Sequence, residues 1–348
     1  MRKSIVVQSF LLGALLVFSA SAVLAQKPEL KIRMPHITAP SHPVAQALVM
    51  FKDIVEKDSE GKIAVNIFPA AQLGTDIETY EMASAGFMEA ATGSWSNIGK
   101  LTPAFEPFGL PYLFESKEQY LRVLSDEKVL ARTNAMLEKI NLHWASTMTL
   151  GLRSIGTTNK KINSPADLKG VKLRVTQSLT DVAALKAFGA SGVAVPWSET
   201  YDALKTGVVD GEAIAMDAYV SARHHEVLKY ISTVNYQAFS YIVVFNKKWW
   251  DGVKPEYKKI ITSALARVDK WHADKLSSMS SNSIKTMRKA GVEIFRPAKY
   301  DEFVKLGKAT WPQFYDSICP KDYVDLIIDR KGPKGDGGWG AWGGEIEE

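Results

Sequence analysis

The chain has 348 residues, with 43 Lys and Arg against 38 Asp and Glu and a formal net charge of +5 at pH 7. Charges of both signs are interspersed along the chain, a pattern that argues against a nucleic-acid-binding surface. A chain of this length exceeds what one hydrophobic core usually supports, so we expect two lobes.

The first 25 residues predict export. Arg2 and Lys3 precede an apolar stretch over residues 5–18, and small residues favour cleavage after Ala25. The stretch is shorter than the roughly 20 residues of a membrane-spanning helix. Because the single cysteine, Cys319, lies far from the N-terminus, we expect neither a lipid anchor nor a disulfide within the chain. These features predict a periplasmic protein.

Strands and helices are predicted to alternate along the chain. The strand patterns cover residues 30–38, 63–68, 142–148, 172–176 and 236–245. The helical patterns cover residues 42–57, 75–85, 117–140, 180–188 and 198–206. We expect Thr75 or Asp76 to be the N-cap of the second of these helices and Ser198 to be the N-cap of the fifth. A further helix of more than 30 residues begins at Pro255 and is long enough to contact both lobes. This order favours an α/β fold with largely parallel sheets.

We expect lobe I to occupy mainly residues 26–150 and lobe II mainly residues 151–240. Residues 241–330 are expected to supply a crossover strand, the long connecting helix and C-terminal helices that pack on both lobes. Residues 331–348 are rich in Gly and Trp, and we predict that they are disordered. A phosphate-binding loop would require a strand before the glycines and a helix after them, and neither pattern is present.

Signatures of catalysis are missing from the sequence. His225 and Glu226 are not followed by the second histidine of a zinc-protease motif, and neither a nucleophile elbow nor a phosphate-loop motif occurs. The adjacent His224 and His225 are interpreted as a surface pair instead of a metal site. We therefore expect no catalytic residue, no metal and no cofactor. A periplasmic enzyme remains an alternative, because dispersed acid–base pairs leave no local motif.

Five segments stand in the order and approximate spacing of one known family. They are residues 68–74 (FPAAQLG), 110–114 (LPYLF), 151–153 (GLR), 168–175 (LKGVKLRV) and 197–211 (WSETYDALKTGVVDG). With these segments, the chain resembles the dicarboxylate-binding (DctP) family, the solute-binding subunits of tripartite ATP-independent periplasmic (TRAP) transporters. The resemblance implies two α/β lobes with a long lobe-spanning helix and hinge closure over a small organic anion. It also implies delivery of this ligand to TRAP membrane permease subunits; we expect a monomer.

Arg174 is the predicted anchor of the ligand's charge. In the strand pattern, Lys172 and Arg174 share one face, and Arg174 lies near the end of the strand. Its planar fork of donors matches a carboxylate or a sulfonate. The alternative from the residues alone is an exposed arginine in a weak surface pair. The resemblance implies that an arginine at this position binds the ligand carboxylate.

Further ligand contacts are predicted around this arginine. The resemblance implies a second ligand-directed arginine at Arg153, for which an inter-strand ion pair is the alternative. It also implies an aromatic ring over the ligand at Trp197, for which a core position is the alternative. Strand ends in such sheets lie at the cleft, and the candidates at these ends are His36, Trp95, Asn97 and Asn246. Asn246 could equally cap the next turn.

Residues 212–217 (EAIAMD) depart from the family pattern. Many members place an asparagine or a tryptophan against the ligand here, whereas this chain has Ile214, followed by Met216. The exchange removes a polar contact and adds apolar surface. We therefore predict a small monoanion, either a carboxylate with an apolar or aromatic body or a sulfonate. A sensory protein that docks a receptor shares the same fold and pocket and remains an alternative.

Overall fold

The computed structural model describes residues 27–176, 178–335 and 338–344. The predicted export signal, residues 1–25, lies outside these ranges. Within them, no helix combines the length and the apolar character needed to cross a membrane.

Strands and helices alternate over the described residues. The strands are β1 (Leu30–Pro35), β2 (Ile63–Phe68), β3 (Ala90–Ser94), β4 (Leu142–Leu152), β5 (Ser154–Thr157), β6 (Lys172–Val175), β7 (Ser191–Ala194), β8 (Gly211–Ile214), β9 (Tyr230–Ser232), β10 (Ala238–Asn246) and β11 (Glu293–Phe295). The helices are α1 (Pro43–Asp58), α2 (Asp76–Ala85), α3 (Trp95–Ile98), α4 (Lys117–Leu124), α5 (Glu127–Leu137), α6 (Leu179–Ala187), α7 (Thr200–Thr206), α8 (Met216–Ser221), α9 (Lys247–Gly252), α10 (Pro255–Lys289), α11 (Tyr300–Lys308) and α12 (Lys321–Lys331).

Two groups of strands define the two lobes. In lobe I, the parallel pair β1 and β2 lies beside a sheet of order β3-β10-β4. In lobe II, six strands form a sheet of order β11-β9-β5-β8-β6-β7. The expectation of largely parallel sheets is wrong, because β10 is antiparallel to β3 and β4, and β5 is antiparallel to β8 and β9. In lobe I, the cause is that β10 returns from lobe II and inserts between two strands.

The chain passes between the lobes at two crossovers and along one helix. The first crossover is Arg153, which separates β4 from β5, and the second is residues 233–237, between β9 and β10. The predicted long helix is α10, with 35 residues, and it packs on α1 of lobe I, on β4 and on α8. Its apolar face therefore contacts elements of both lobes.

The start of α2 positions a carboxylate for the site described below. Thr75, one of the two predicted candidates, is the N-cap of α2. The Thr75 hydroxyl accepts from the Glu78 N–H at 3.3 Å, and the Glu78 carboxylate accepts from the Thr75 N–H at 2.7 Å. This reciprocal capping satisfies two N–H groups at the helix start. Because Thr75 supplies the cap, the side chain of Asp76 is free for other contacts.

The outer edge of β4 has no neighbouring strand in the described sheet. The Asn134 amide makes the backbone hydrogen bonds that a neighbouring strand would make. Its oxygen accepts from the Trp144 N–H at 2.7 Å, and its nitrogen donates to the Trp144 carbonyl at 3.3 Å. Farther along the edge, the Asp269 carboxylate of α10 accepts from the Ser146 hydroxyl at 2.6 Å and from the Thr147 N–H. Side chains thus satisfy backbone groups that an edge strand usually leaves open.

Residues 338–344, here called the C-terminal strap, are ordered, so the prediction of disorder is wrong for this part of the tail. They form a 3-10 turn over Gly340–Gly343, and the Trp342 side chain is 2% exposed. Its indole N–H donates to Ser277 of α10 at 3.0 Å, and Asn235 donates to the Gly343 carbonyl at 2.7 Å. Burial of the indole and these hydrogen bonds offset the chain entropy that the glycines lose on ordering.

Candidate ligand-binding site

A cavity of about 410 Å³ lies between the lobes. Lobe I contributes the turn at Ala70 and Ala71, the first residues of α2, and Asn97. Lobe II contributes the end of β6 and the segment that leads from β7 into α7. A narrow inner extension reaches further residues, namely His42, Ser94, Leu150, Ile214, Ala218, Phe239 and Tyr241. The volume is in the range of sites for small molecules.

Arg174 is the third residue of β6 and is 4% exposed. Its Nε donates to the Val195 carbonyl at 3.0 Å, and neither terminal nitrogen of the guanidinium makes a hydrogen bond within the described part of the chain. Burial lowers the pKa of Arg174, and the charge of Arg153 acts in the same direction, while Glu212 and Asp181 oppose them. The cavity therefore holds a buried positive charge whose two terminal donors are available to an anion.

Asp76 faces Arg174 from the other lobe. Its Oδ2 accepts from the Ser94 N–H at 3.0 Å and from the Asn97 amide at 2.9 Å. Its Oδ1 is buried and has no hydrogen-bond partner in the described residues. Burial raises the pKa of Asp76 to about 6, against the opposing effects of the two hydrogen bonds and of Arg174. A buried acceptor without a donor in the protein has to be satisfied by water or by a bound molecule.

Arg153 lies behind the cavity wall. It is fully buried, with its guanidinium carbon 4.0 Å from the centroid of the Phe239 ring. Its terminal nitrogens donate to the Ala213 carbonyl at 2.8 Å and to the Ser96 hydroxyl at 3.1 Å, and it lies 3.9 Å from the Asp181 carboxylate. The structure does not place Arg153 among the residues that line the cavity. Its direct contact with the ligand therefore stays a prediction.

Trp197 lines the cavity beside Arg174, with its ring centroid 5.5 Å from the guanidinium carbon. The Trp197 ring centroid also lies 4.9 Å from that of His224. The interpretation of His224 as a surface residue is wrong, because it is buried and its Nδ1 lies 2.5 Å from Oε1 of the buried Glu212.

The predicted serine cap of α7, Ser198, lies instead inside a 3-10 turn, Trp197–Glu199. This turn presents the indole to the cavity.

The other predicted site residues fall into two groups. Asn97 lines the cavity, and Ile214 lines its inner extension. The residues outside both linings are His36, Trp95, Met216 and Asn246. Asn246 is the N-cap of α9, accepting from the Trp249 N–H at 2.8 Å, which is the alternative that the sequence left open.

The three remaining side chains are packed in the protein. His36 bonds to the Thr38 hydroxyl at 2.8 Å, and burial lowers its pKa to about 4. The Trp95 ring lies so close to Gly109 that a Cβ on this glycine would be 2.4 Å from it. The Met216 methyl group lies close to Gly344 of the C-terminal strap. A Cβ on Gly344 would be 2.7 Å from this methyl group. These contacts give each side chain a packing role.

A pair of buried titratable groups adjoins the inner extension. His42 Nε2 and Asp217 Oδ2 are 3.9 Å apart, too far for a hydrogen bond. Burial lowers the pKa of His42 to about 3 and raises the pKa of Asp217 to about 7. At mildly acidic pH both groups are therefore neutral, and their contact is not an ion pair.

Sequence reasoning missed several residues of the cavity. Asp76 was predicted only as a candidate helix cap, since an acidic residue in the first turn of a helix is common. Tyr241 lies within a strand of which every residue is buried, so its type and position predict core packing. The hydrogen-bonding demand of Asp76 becomes visible only when Ser94 and Asn97 are placed beside it.

A family model for bacterial extracellular solute-binding proteins, family 7, matches residues 34–317. The 2,3-diketo-L-gulonate-binding periplasmic protein YiaO of Escherichia coli is 26% identical over 289 residues, which cover 83% of this chain and 87% of YiaO. The C4-dicarboxylate-binding periplasmic protein DctP of Rhodobacter capsulatus is 28% identical over 306 residues, which cover 87% and 89% of the two chains.

Solved structures of TRAP periplasmic solute-binding proteins have the same fold. One from Anaerococcus prevotii, with bound D-glucuronate, superimposes with a TM-score of 0.82 at 26% identity and covers 87% of this chain and 99% of its own. One from Bradyrhizobium, in complex with D-galacturonate, has a TM-score of 0.80 at 27% identity and covers 86% and 99% of the two chains.

Separate replacement of Arg153 and of Arg174 with methionine distinguishes folding from binding. We expect Arg153→Met to lower the free energy of unfolding by on the order of 3 kcal/mol, because it leaves the buried Asp181 without its cationic neighbour. We expect Arg174→Met to change it by less than about 1 kcal/mol and to abolish binding of organic anions. Urea denaturation and ligand-induced shifts in melting temperature measure the two effects. A loss of stability in Arg174→Met together with a loss of binding in Arg153→Met would contradict this division of roles.

The burial of Asp217 predicts a pH-dependent stability. Its pKa rises from 3.8 to about 7 on folding, so its contribution to stability falls as the pH rises through this window. We expect Asp217→Asn to unfold with the same free energy as wild type near pH 4 and to be more stable by about 1 to 3 kcal/mol at pH 8. Urea denaturation at several pH values measures the difference. A difference that does not vary with pH would show that Asp217 is not neutral in the folded protein.

Proposed function

Because the chain belongs to the bacterial extracellular solute-binding protein family 7, we propose that it captures a small organic acid between its lobes and delivers it to the membrane subunits of a TRAP transporter. The observation that supports this most strongly is Arg174, a buried cation in the inter-lobe cavity with two donors unused by the protein. A bound anion compensates the cost of keeping this charge out of water.

The charges of the cavity favour a ligand with one acidic group. Among the described residues that line it, Arg174 is the single Arg or Lys. The carboxylate of Asp76 lies on the facing wall. A second carboxylate on the ligand would meet Asp76 without a second cation, and like charges in such a site repel. The ligand is therefore a monocarboxylate or, by the same geometry of donors, a monosulfonate.

Asp76 adds a requirement for a hydrogen-bond donor. Asp76 lines the cavity, and its buried Oδ1 has no partner in the described residues, which supports a hydroxyl group on the ligand as its donor. The apolar side chains of Ile37, Val195 and Trp197 fit the carbon skeleton between the two polar ends. We propose a hydroxylated monocarboxylate, in place of a purely apolar or aromatic acid. The two uronates bound by structural relatives belong to this chemical class.

A screen of organic anions tests the capture function. We expect hydroxylated monocarboxylates such as glucuronate, galacturonate or erythronate to raise the melting temperature, because a ligand of the folded state stabilises it by mass action. Succinate and an alkylsulfonate serve as comparison compounds, and Arg174→Met is the matched control protein. Stabilisation by succinate alone would overturn the monoanion proposal. Equal stabilisation of Arg174→Met would overturn the role of the arginine.

Asp76→Asn tests the hydroxyl requirement. The asparagine oxygen can keep the bonds from Ser94 and Asn97, while its amide nitrogen replaces the unpaired acceptor Oδ1. We expect the affinity for a hydroxylated acid to fall at least about tenfold, the usual weight of a hydrogen bond to a charged group. The affinity for a deoxy analogue should change much less. Calorimetry on both proteins and both compounds measures the coupling, and equal losses for the two compounds would contradict it.

A further inference from the structure

The C-terminal strap, residues 338–344, contacts the second crossover between the lobes and the end of β4, which leads into the first crossover. A Cβ on Gly151, at the end of β4, would lie 2.8 Å from the Trp342 carbonyl oxygen and 3.3 Å from the Trp342 Cβ. In the second crossover, Asn235 donates to the Gly343 carbonyl at 2.7 Å. The Asn235 oxygen in turn accepts from the Ser154 hydroxyl at 2.9 Å, so the two crossovers are linked beneath the strap.

Two of the residues that the strap touches, Gly151 and Asn235, have left-handed backbone conformations. The φ angle of Gly151 is +94°, and that of Asn235 is +51°. Gly151 has no Cβ, and this permits both its backbone angle and the close approach of Trp342. A rotation of one lobe against the other has to change backbone angles at a few such positions. The strap is thus packed against the positions where this change would occur.

Contacts with the rest of the molecule hold the strap on both sides. On lobe I, the Lys117 N–H donates to the Gly338 carbonyl at 3.1 Å. On α10, Ser277 accepts from the Trp342 indole at 3.0 Å. Next to lobe II, a Cβ on Gly344 would lie 2.7 Å from Met216 and 2.9 Å from Thr233. The strap therefore bridges elements that move apart when the lobes separate.

We infer that the C-terminal strap stabilises the enclosed arrangement of the two lobes by fixing the backbone of the second crossover and of β4 next to the first crossover. In this arrangement Asp76 and Arg174, from opposite lobes, are 2% and 4% exposed. Opening the cavity breaks or strains the contacts of Trp342 and Gly343. The strap consequently slows release of a ligand, a consequence that rests on the proposed function, whereas its effect on the lobes does not.

Distance measurements between the lobes test this inference. Lys128 of α5 and Lys186 of α6 are exposed and lie on different lobes, and Cys319 is buried, so labels attached to Lys128→Cys and Lys186→Cys report on the lobes. We expect Trp342→Ala to broaden the distance distribution of the ligand-free protein toward longer values. Trp342→Phe, which keeps a ring but loses the bond to Ser277, should give an intermediate distribution. Trp250→Ala, which removes an indole stacked on Phe245 away from the crossovers, is the control.

Ligand release provides the second measurement. We expect dissociation of a bound acid to be at least about fivefold faster from Trp342→Ala and unchanged from Trp250→Ala. Distance distributions identical to wild type in both Trp342 variants would overturn the inference. If no organic acid binds the wild-type protein, the proposed function fails, and the distances still decide the role of the strap. If Trp342→Ala does not fold, Trp342→Phe and Ser277→Ala provide the same comparison.

Discussion

The buried positive charge of Arg174 is the constraint on which the site depends. A guanidinium with one hydrogen bond to a backbone carbonyl is incompletely compensated, and the carboxylates of Glu212 and Asp181 act on it only through space. A ligand anion completes its environment. Asp76 lies on the facing wall, and its Oδ1 has no hydrogen-bond donor among the described residues. The proposed ligand, with one negative charge and one hydroxyl group, would satisfy both lobes at once and so couple its binding to their closure.

Arg153 connects this charge to the framework. It is the first crossover residue, and its side chain reaches the Ala213 carbonyl in lobe II, and Ser96 and Phe239 in lobe I. Its charge disfavours the charged form of Arg174, while Asp181 favours it. The two arginines and the acids behind them thus form one electrostatic unit that spans the crossover. A change in lobe orientation alters the surroundings of both charges.

Local signals predict much of this fold, because they act between neighbours in sequence. The apolar spacing of α1 and α10 and the capping of α2 were sufficient to predict these helices. The family motifs placed Arg174 and Trp197 at the cleft. The contribution of Asp76 could not be predicted, because its unpaired oxygen depends on how Ser94 and Asn97 bond to it. The order of the strap depends on Gly151 and Asn235, more than 100 residues earlier in the chain. A local sequence pattern cannot predict contacts between residues so far apart in the chain.

The side chains on the outer edge of β4 affect how two copies of the protein can associate. A sheet edge with free N–H and C=O groups is a template on which a second copy can add a strand. Here the Asn134 amide occupies both backbone groups of Trp144, and Asp269 occupies the N–H of Thr147. Pairing of two molecules along this edge would first have to displace these side chains. The protein can therefore accumulate to high local concentration without this route to aggregation.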